Sequence, residues 1–175
     1  MAAVLELKRA IGANLATKRN ALYTELGQTF VEISTLDSAQ HSSGDYPITK
    51  PQDSSTSYSM EVWLYLEVTK APDNNINNVK FWFTDTAVAS GIYLFLGTAI
   101  SGTGITPTNE NGNRATSNAM AYYGPAESFQ WDEGGMSEVG SCSAYLCLQY
   151  QYNSAAGTGD EYGSNSLGHY SYDES

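Results

Sequence analysis

The sequence has few of the residues that metal binding and catalysis most often use. Among 175 residues there are two histidines, His41 and His169, and two cysteines, Cys142 and Cys147. The cysteines are five residues apart, and an odd separation places them on opposite faces of an extended strand, where they cannot form a disulfide with each other unless a bulge or turn lies between them. Neither has the CxxC partner of a typical zinc site. We expect two reduced thiols and no metal site built on them.

Positive charge is scarce as well. Eight lysines and arginines stand against 19 acids, for a formal net charge of −11. Residues 81–175 contain one base, Arg114, and ten acids. A protein that binds DNA or RNA needs cations to release the counterions of phosphate, and an anionic membrane surface attracts cationic proteins. The composition therefore excludes nucleic acid and membrane surfaces as expected partners.

Long apolar runs and signal-peptide features are missing too. The apolar stretches are only a few residues long, whereas a transmembrane helix needs about 20. The first ten residues, MAAVLELKRA, carry their bases inside the segment and have no long apolar core. We expect no membrane span and no export by the ordinary secretion route.

Motifs of catalysis and nucleotide binding are absent. The run GMSEVG at 135–140 lacks the G-x-S-x-G spacing of a nucleophile elbow, and no glycine-rich loop has a phosphate-binding spacing. A calcium loop beginning at Asp73 fails because Asn78 and Thr84 stand where glycine and glutamate are needed. We expect a non-enzymatic protein without a cofactor. A weaker calcium site remains open for loop carboxylates such as Glu110, Asp160 and Glu161.

Short polar residues and strand-forming residues dominate what is present. Ser, Thr, Asn and Gly supply 63 of the 175 residues, a composition that favours turns and strands over solvated helices. The clearest strand lies at 60–69. Its two alternating sets are Met60, Val62, Leu64, Leu66 and Val68 on one side, and Glu61, Trp63, Tyr65, Glu67 and Thr69 on the other. The alternation predicts one core face and one face of amphipathic rings.

Further strands are predicted at regular intervals after this one. Turn residues such as the Asn111-Gly112 dipeptide separate them. The predicted strands are 79–84, 91–99, 119–123, 127–131, 141–152 and 167–172. Several short strands with turns between them indicate an all-β fold, an antiparallel β-sandwich of the jelly-roll or Ig-like type, spanning residues 58–175.

The N-terminal part, residues 1–57, is harder to assign. Leu7, Ile11 and Leu15 fall near helical spacing, which leaves a helix before Gly27 and extended chain equally open. A strand is favoured at 28–34, and residues 36–58 are almost free of apolar side chains. We expect residues 1–57 to form an arm or extension, partly strand or helix, beside the sandwich domain.

The aromatic content is high, with 13 tyrosines and three tryptophans. Aromatic residues are enriched in protein interfaces, and on a sheet face they also stack on sugars or pair across strands. All three roles stay open. The preferred binding residues are Trp63, Tyr65 and Trp82, called here the aromatic patch, because both strands are expected to point them away from the aliphatic face.

Three segments resemble virion structural proteins of tailed bacteriophages. They are EVWLYLEVTKAPDNNINNVKFW at 61–82, GIYLFLGT at 91–98 and HYSYDES at 169–175. In that group a strand, a Pro-Asn turn and an I-x-N-hydrophobic strand precede a G-hydrophobic-x-L-x-hydrophobic-G-T strand. The resemblance covers roughly residues 58–175. It implies a β-sandwich that assembles on the particle as head decoration, neck or tail protein, and it implies no catalytic residues.

The sequence therefore predicts a multi-copy structural protein of the virion, assembled in the host cytoplasm. Its expected partners are capsid, neck or tail subunits and further copies of itself in an oligomer or symmetric array. Residues 1–57 are expected to reach over a neighbouring subunit, so that removing residues 1–35 would leave a folded domain that no longer joins the particle. The alternative is a carbohydrate-binding or host-adhesion module that uses the aromatic patch to stack on sugar rings.

Overall fold

Strands make up nearly all of the regular structure in the residues that the structure describes. In this computed structural model those residues are 2–21, 23–25, 28–30, 51–84, 90–110, 123–124, 126–156 and 168–175. The strands are β1 Val4–Ile11, β2 Thr17–Asn20, β3 Tyr23–Glu25, β4 Gln28–Phe30, β5 Thr56–Tyr58, β6 Val62–Lys70, β7 Ile76–Phe83, β8 Ile92–Ala99, β9 Phe129–Met136, β10 Tyr145–Asn153 and β11 Gly168–Glu174. The predicted all-β class is confirmed.

The first sheet contains six strands in antiparallel pairings. β1 lies between β2 and β6, and β6 pairs in turn with β10. β8 pairs with β10 from Tyr145 to Tyr152 and so occupies one edge of that strand. β6 and β5 therefore share the opposite edge, β6 at residues 146–148 and β5 at residues 151–153.

The second sheet contains three antiparallel strands in the order β11-β7-β9. It packs on the first sheet, and the apolar side chains between the two sheets form the main core. The first sheet contributes Val62, Leu64, Leu66, Val68, Leu94, Leu96, Leu146 and Leu148, and the second contributes Ile76, Val79, Phe81, Phe83, Trp131 and Met136. Each such side chain contributes about 1.5–3 kcal/mol by leaving water, so this core holds the sandwich together.

Strand β6 is buried on both faces, which the sequence interpretation did not anticipate. Trp63 is 0% and Tyr65 is 1% exposed, although both point away from the main core. They form a second apolar cluster with Leu15 and Cys147, on which Ile105 also packs. The cover comes from two segments distant in sequence, the short 3-10 helix Ala13–Leu15 and the loop at 100–110.

Hydrogen bonds join the two segments of this cover to each other and to the sheet. The backbone N–H of Asn14 donates to the carbonyl of Ile105 at 2.6 Å, and the N–H of Gly104 donates to Asn14 Oδ1 at 2.7 Å. On the sheet side, Gln149 Nε2 donates to the carbonyls of Ser59, Thr108 and Glu110 at 2.9–3.1 Å. The outer face of β6 is therefore covered at Trp63 and Tyr65, which are buried.

The start of the chain is part of the first sheet and not an arm beside it. β1 pairs with β6 from Val4 opposite Lys70 to Ala10 opposite Trp63. Leu5 and Leu7 pack against the main core from this strand. The period-two spacing of these two leucines thus outweighs the near-helical spacing, and the only helical turn in the described part of residues 1–30 is Ala13–Leu15. The predicted domain boundary at residue 58 does not separate residues 4–20 from the sandwich.

Most predicted strands coincide with observed ones. β6, β7, β8, β9, β10 and β11 each overlap a predicted segment, and the inward faces of β7 and β8 are as predicted. β4 covers the first part of the predicted strand at 28–34, and the remainder lies outside the described residues. The predicted strand at 119–123 and the turn at 111–112 lie largely or wholly outside them too.

Candidate functional site

The aromatic patch is not assembled in the structure. Trp63 and Tyr65 lie on the outer face of the first sheet, under the cover described above, while Trp82 lies on the outer face of the second sheet. The alternation in each strand was interpreted correctly, but the two strands belong to different sheets. Side chains that point away from a shared core then point in opposite directions. The prediction that these three rings form one exposed surface is wrong.

Trp82 keeps partial exposure and pairs with a histidine across the strands. Its ring stacks on that of His169, with centroids 5.6 Å apart and planes 16° from parallel. His169 Nε2 is hydrogen-bonded to Thr84 Oγ1. One face of the indole is therefore occupied by the imidazole, and the three-ring stacking platform predicted for sugars is reduced to this pair.

A pocket of about 420 Å³ opens on the outer face of strands β2, β1 and β6. We call it the outer pocket; it is lined by Lys8, Lys18, Arg19, Asn20, Tyr65 and Glu67. The strand register explains why most of these side chains meet, because Lys8 lies directly opposite Tyr65 on one side and Asn20 on the other, whereas Arg19 lies opposite Arg9 and alternates with them. Directly opposed residues of antiparallel strands share a face.

Tyr65 lines the outer pocket from the buried side. The residue is 1% exposed, and its hydroxyl oxygen is buried without a hydrogen-bond partner in the described part of the chain. Lys18 Nζ lies 4.9 Å from the centre of its ring, and the ring of Tyr145 meets it edge-on at 5.5 Å. Burial, with the negative charge of Glu67 as a smaller cause, raises the pKa of the Tyr65 phenol well above its usual value. The hydroxyl therefore stays protonated at neutral pH and is a hydrogen-bond donor.

The rim of the outer pocket is cationic. Lys8 Nζ donates to Glu6 Oε2 at 2.6 Å and to Asn20 Oδ1 at 3.1 Å. Lys18 and Arg19 form no ion pair with a carboxylate among the described residues; Arg19 Nη1 donates to the carbonyl of Lys18 at 3.3 Å. Three of the six lining residues are cations and one is an acid, in a chain with eight bases and 19 acids.

Three exposed apolar side chains lie towards one end of the first sheet. Val4, Val139 and Ile100 are 46%, 65% and 94% exposed, and they are three of the four large apolar residues exposed among those described. Val4 is opposite Lys70 at the end of β6, and Ile100 follows Ala99, which pairs with the first residue of β10. The turn that carries Val139 is bonded to β6 near the same end, through Gly140 N–H to the Val68 carbonyl at 2.8 Å. We call this the apolar end.

Both cysteines are free thiols, as predicted, with Cys142 exposed and Cys147 buried. No group of three or more His, Cys, Asp or Glu side chains in the described part of the chain is arranged to hold a metal ion. Of the predicted loop carboxylates, Asp160 and Glu161 lie outside that part. No helix in the described segments has the length and apolar character needed to cross a membrane.

Comparisons with protein-family models, with curated proteins and with solved structures find no match to this chain. Functional inference therefore depends on the residues and surfaces described above.

Proposed function

We propose that this protein is a non-enzymatic structural component of a tailed-phage virion, present in many copies and bound to other virion proteins on the capsid, neck or tail. The segments at 61–82 and 91–98, on which the resemblance to such proteins rests, fold as β6, β7 and β8. A two-sheet sandwich is the architecture that the resemblance implies. The agreement supports the proposal at the level of fold.

The observation that carries the proposal is the apolar end. Isolated exposed apolar residues are common on protein surfaces, but here three lie towards the same end of the first sheet, Val4 and Val139 beside the end of β6 and Ile100 just after β8. Burying a side chain such as Ile100 against another subunit would contribute about 1.5–3 kcal/mol. An end surface of this kind suits contact between subunits, in an oligomer or in a symmetric array.

The test is quantitative mass spectrometry of gradient-purified particles from the source, with the copies of this chain counted against the major shell protein. A ratio near one to one supports a head decoration protein, and a few to a few dozen copies per particle support a neck or tail protein. Complete absence from the particles would refute the proposal.

Two matched variants test the apolar end within the same experiment. Ile100→Asp places a charge on the apolar end, and Ala155→Asp places the same charge on another exposed residue, just after the opposite end of β10. We expect Ile100→Asp to lower the number of copies per particle and Ala155→Asp to leave it unchanged. Equal incorporation of the two variants would show that the apolar end is not the contact surface.

A further inference from the structure

The outer pocket combines two features that a purely structural surface does not require. It places two lysine ammonium groups on one face in a protein of net charge −11, and a buried tyrosine hydroxyl without a partner among the described residues belongs to its lining. A buried donor without an acceptor destabilises the folded state, and buried polar groups in proteins are nearly always paired. A ligand that accepts a hydrogen bond in the pocket would remove this penalty.

The chemistry of the lining residues defines that ligand. Lys8 and Lys18 supply ammonium donors, and the Tyr65 phenol supplies a neutral donor. Donors of these types converge on oxygen atoms that carry negative charge. A volume of about 420 Å³ lies within the range of small-molecule sites.

We infer that the outer pocket binds an oxyanion, either a carboxylate or a phosphate. The Tyr65 hydroxyl donates a hydrogen bond to one oxygen of the ligand, and the Lys18 ammonium compensates the ligand's negative charge. The Lys18 ammonium is already held over the Tyr65 ring, so the two donors are adjacent before the anion arrives. Asn20 keeps Lys8 at the rim through its 3.1 Å hydrogen bond. Glu67 is the single acid in the lining and opposes the ligand. The inference rests on the pocket alone and holds whether or not the chain is found in virions.

The test is a thermal-melting titration of the full chain with inorganic phosphate and, separately, with citrate. Sodium chloride holds the ionic strength constant in both series. Phosphate raises the melting temperature of many proteins by exclusion from their surface, so the decisive quantity is the difference between variants and not the shift itself. We expect a saturable rise for the wild type with at least one of the two anions.

Four variants separate site binding from that general effect. Tyr65→Phe removes only the buried hydroxyl and Lys18→Met removes the charge; each is expected to weaken anion binding by about tenfold. Their controls are Tyr170→Phe and Lys80→Met on the second sheet, which are expected to retain wild-type affinity.

A fifth variant, Glu67→Gln, is expected to act in the opposite direction and tighten binding, because it removes the opposing charge. Without added anion, Tyr65→Phe should melt no lower than the wild type, since its hydroxyl has no partner to lose among the described residues. Circular dichroism checks that each variant is folded.

The outcomes are decisive in both directions. A response to phosphate alone identifies a phosphate ligand, a response to citrate alone identifies a carboxylate ligand, and a response to both identifies a general oxyanion site. The inference is overturned if neither anion gives a saturable shift, or if Tyr65→Phe and Lys18→Met respond as strongly as their controls on the second sheet.

Discussion

At the scale of single residues, several polar side chains hold the outer cover of the first sheet in place. Gln149 is the clearest case, because it is 1% exposed and its Nε2 donates to three carbonyls from two segments, Ser59 and the pair Thr108 and Glu110. Without that donor, three buried or half-buried carbonyls lose a hydrogen bond. The loop that covers Trp63 and Tyr65 depends on this side chain.

We therefore expect Gln149→Met, which keeps the side-chain volume and removes the amide, to lower the free energy of unfolding by about 1–3 kcal/mol. The control is Gln151→Met, two residues along the same strand, where the side chain is half-buried and donates no such set of bonds to the part of the chain that the structure describes. Urea denaturation of the two variants measures the difference. Equal urea midpoints for the two variants would mean that the hydrogen bonds of the Gln149 amide do not stabilise the folded protein.

The thiols give a prediction with a pH dependence. Desolvation raises the pKa of the Cys142 thiol above its usual value, the nearby Lys18 ammonium partly opposes this, and Glu67 adds to it. Because the thiolate is the reactive form, its fraction below the pKa rises about tenfold per pH unit. A thiol reagent should modify only Cys142 in the folded protein, with a rate that still climbs between about pH 7 and 8.5. Lys18→Met should slow that rate, and a plateau below pH 8.5 would contradict the assignment.

At the scale of secondary-structure elements, β1 is the part of the fold whose role differs most from the sequence interpretation. It lies between β2 and β6, and it brings Leu5 and Leu7 to the main core. Its loss would leave one edge of β6 unpaired and apolar side chains of the core in water. A segment interpreted as an arm is thus an interior strand.

Deleting residues 1–35 is consequently expected to unfold the sandwich and not to leave an intact domain that fails to assemble. Circular dichroism during heating and in urea measures this. Deleting residues 1–2 is the control, because it leaves all of β1 in place and should preserve the melting temperature. A cooperative melt of the longer deletion at the wild-type temperature would show that β1 is dispensable.

At the scale of the whole molecule, net charge and the apolar end act against each other. Copies of a chain with charge −11 repel one another, whereas contact at the apolar end attracts them. Salt weakens the electrostatic repulsion between the copies, since the Debye length falls from about 30 Å at 0.01 M to about 8 Å at 0.15 M ionic strength. The balance therefore shifts towards association as salt is added.

Sedimentation velocity should show a higher average mass for the wild type at about 0.15 M salt than at about 0.01 M. Ile100→Asp should remove most of that increase, because the added charge stands at the contact itself. Dissociation on adding salt would indicate instead that attraction between opposite charges holds the copies together.

The strands from β6 onwards, and the inward faces of β6, β7 and β8, could be predicted from the sequence, because alternation along an extended chain is a local property of the backbone. The inward set Val62, Leu64, Leu66 and Val68 followed from its spacing alone and is buried as predicted. Both cysteines are free thiols, but the predicted reason is wrong: Cys142 lies opposite Glu67 and Cys147 opposite Trp63, so both lie on the outer face of the first sheet. Several short alternating segments with turn residues between them, in a composition poor in helix formers, indicated the all-β class, which is confirmed.

The tertiary structure alone decided which strands share a sheet and what covers each face. Trp63 and Trp82 both point away from the core, yet they lie on opposite outer surfaces, and a loop forty residues further along the chain buries Trp63. The outer pocket was not predicted either, although the Lys-Arg doublets at 8–9 and 18–19 were visible in the sequence. Only the pairing of β1 with β2 and β6 brings Lys8 and Lys18 onto the face of Tyr65, because such register is set by contacts between residues distant in sequence.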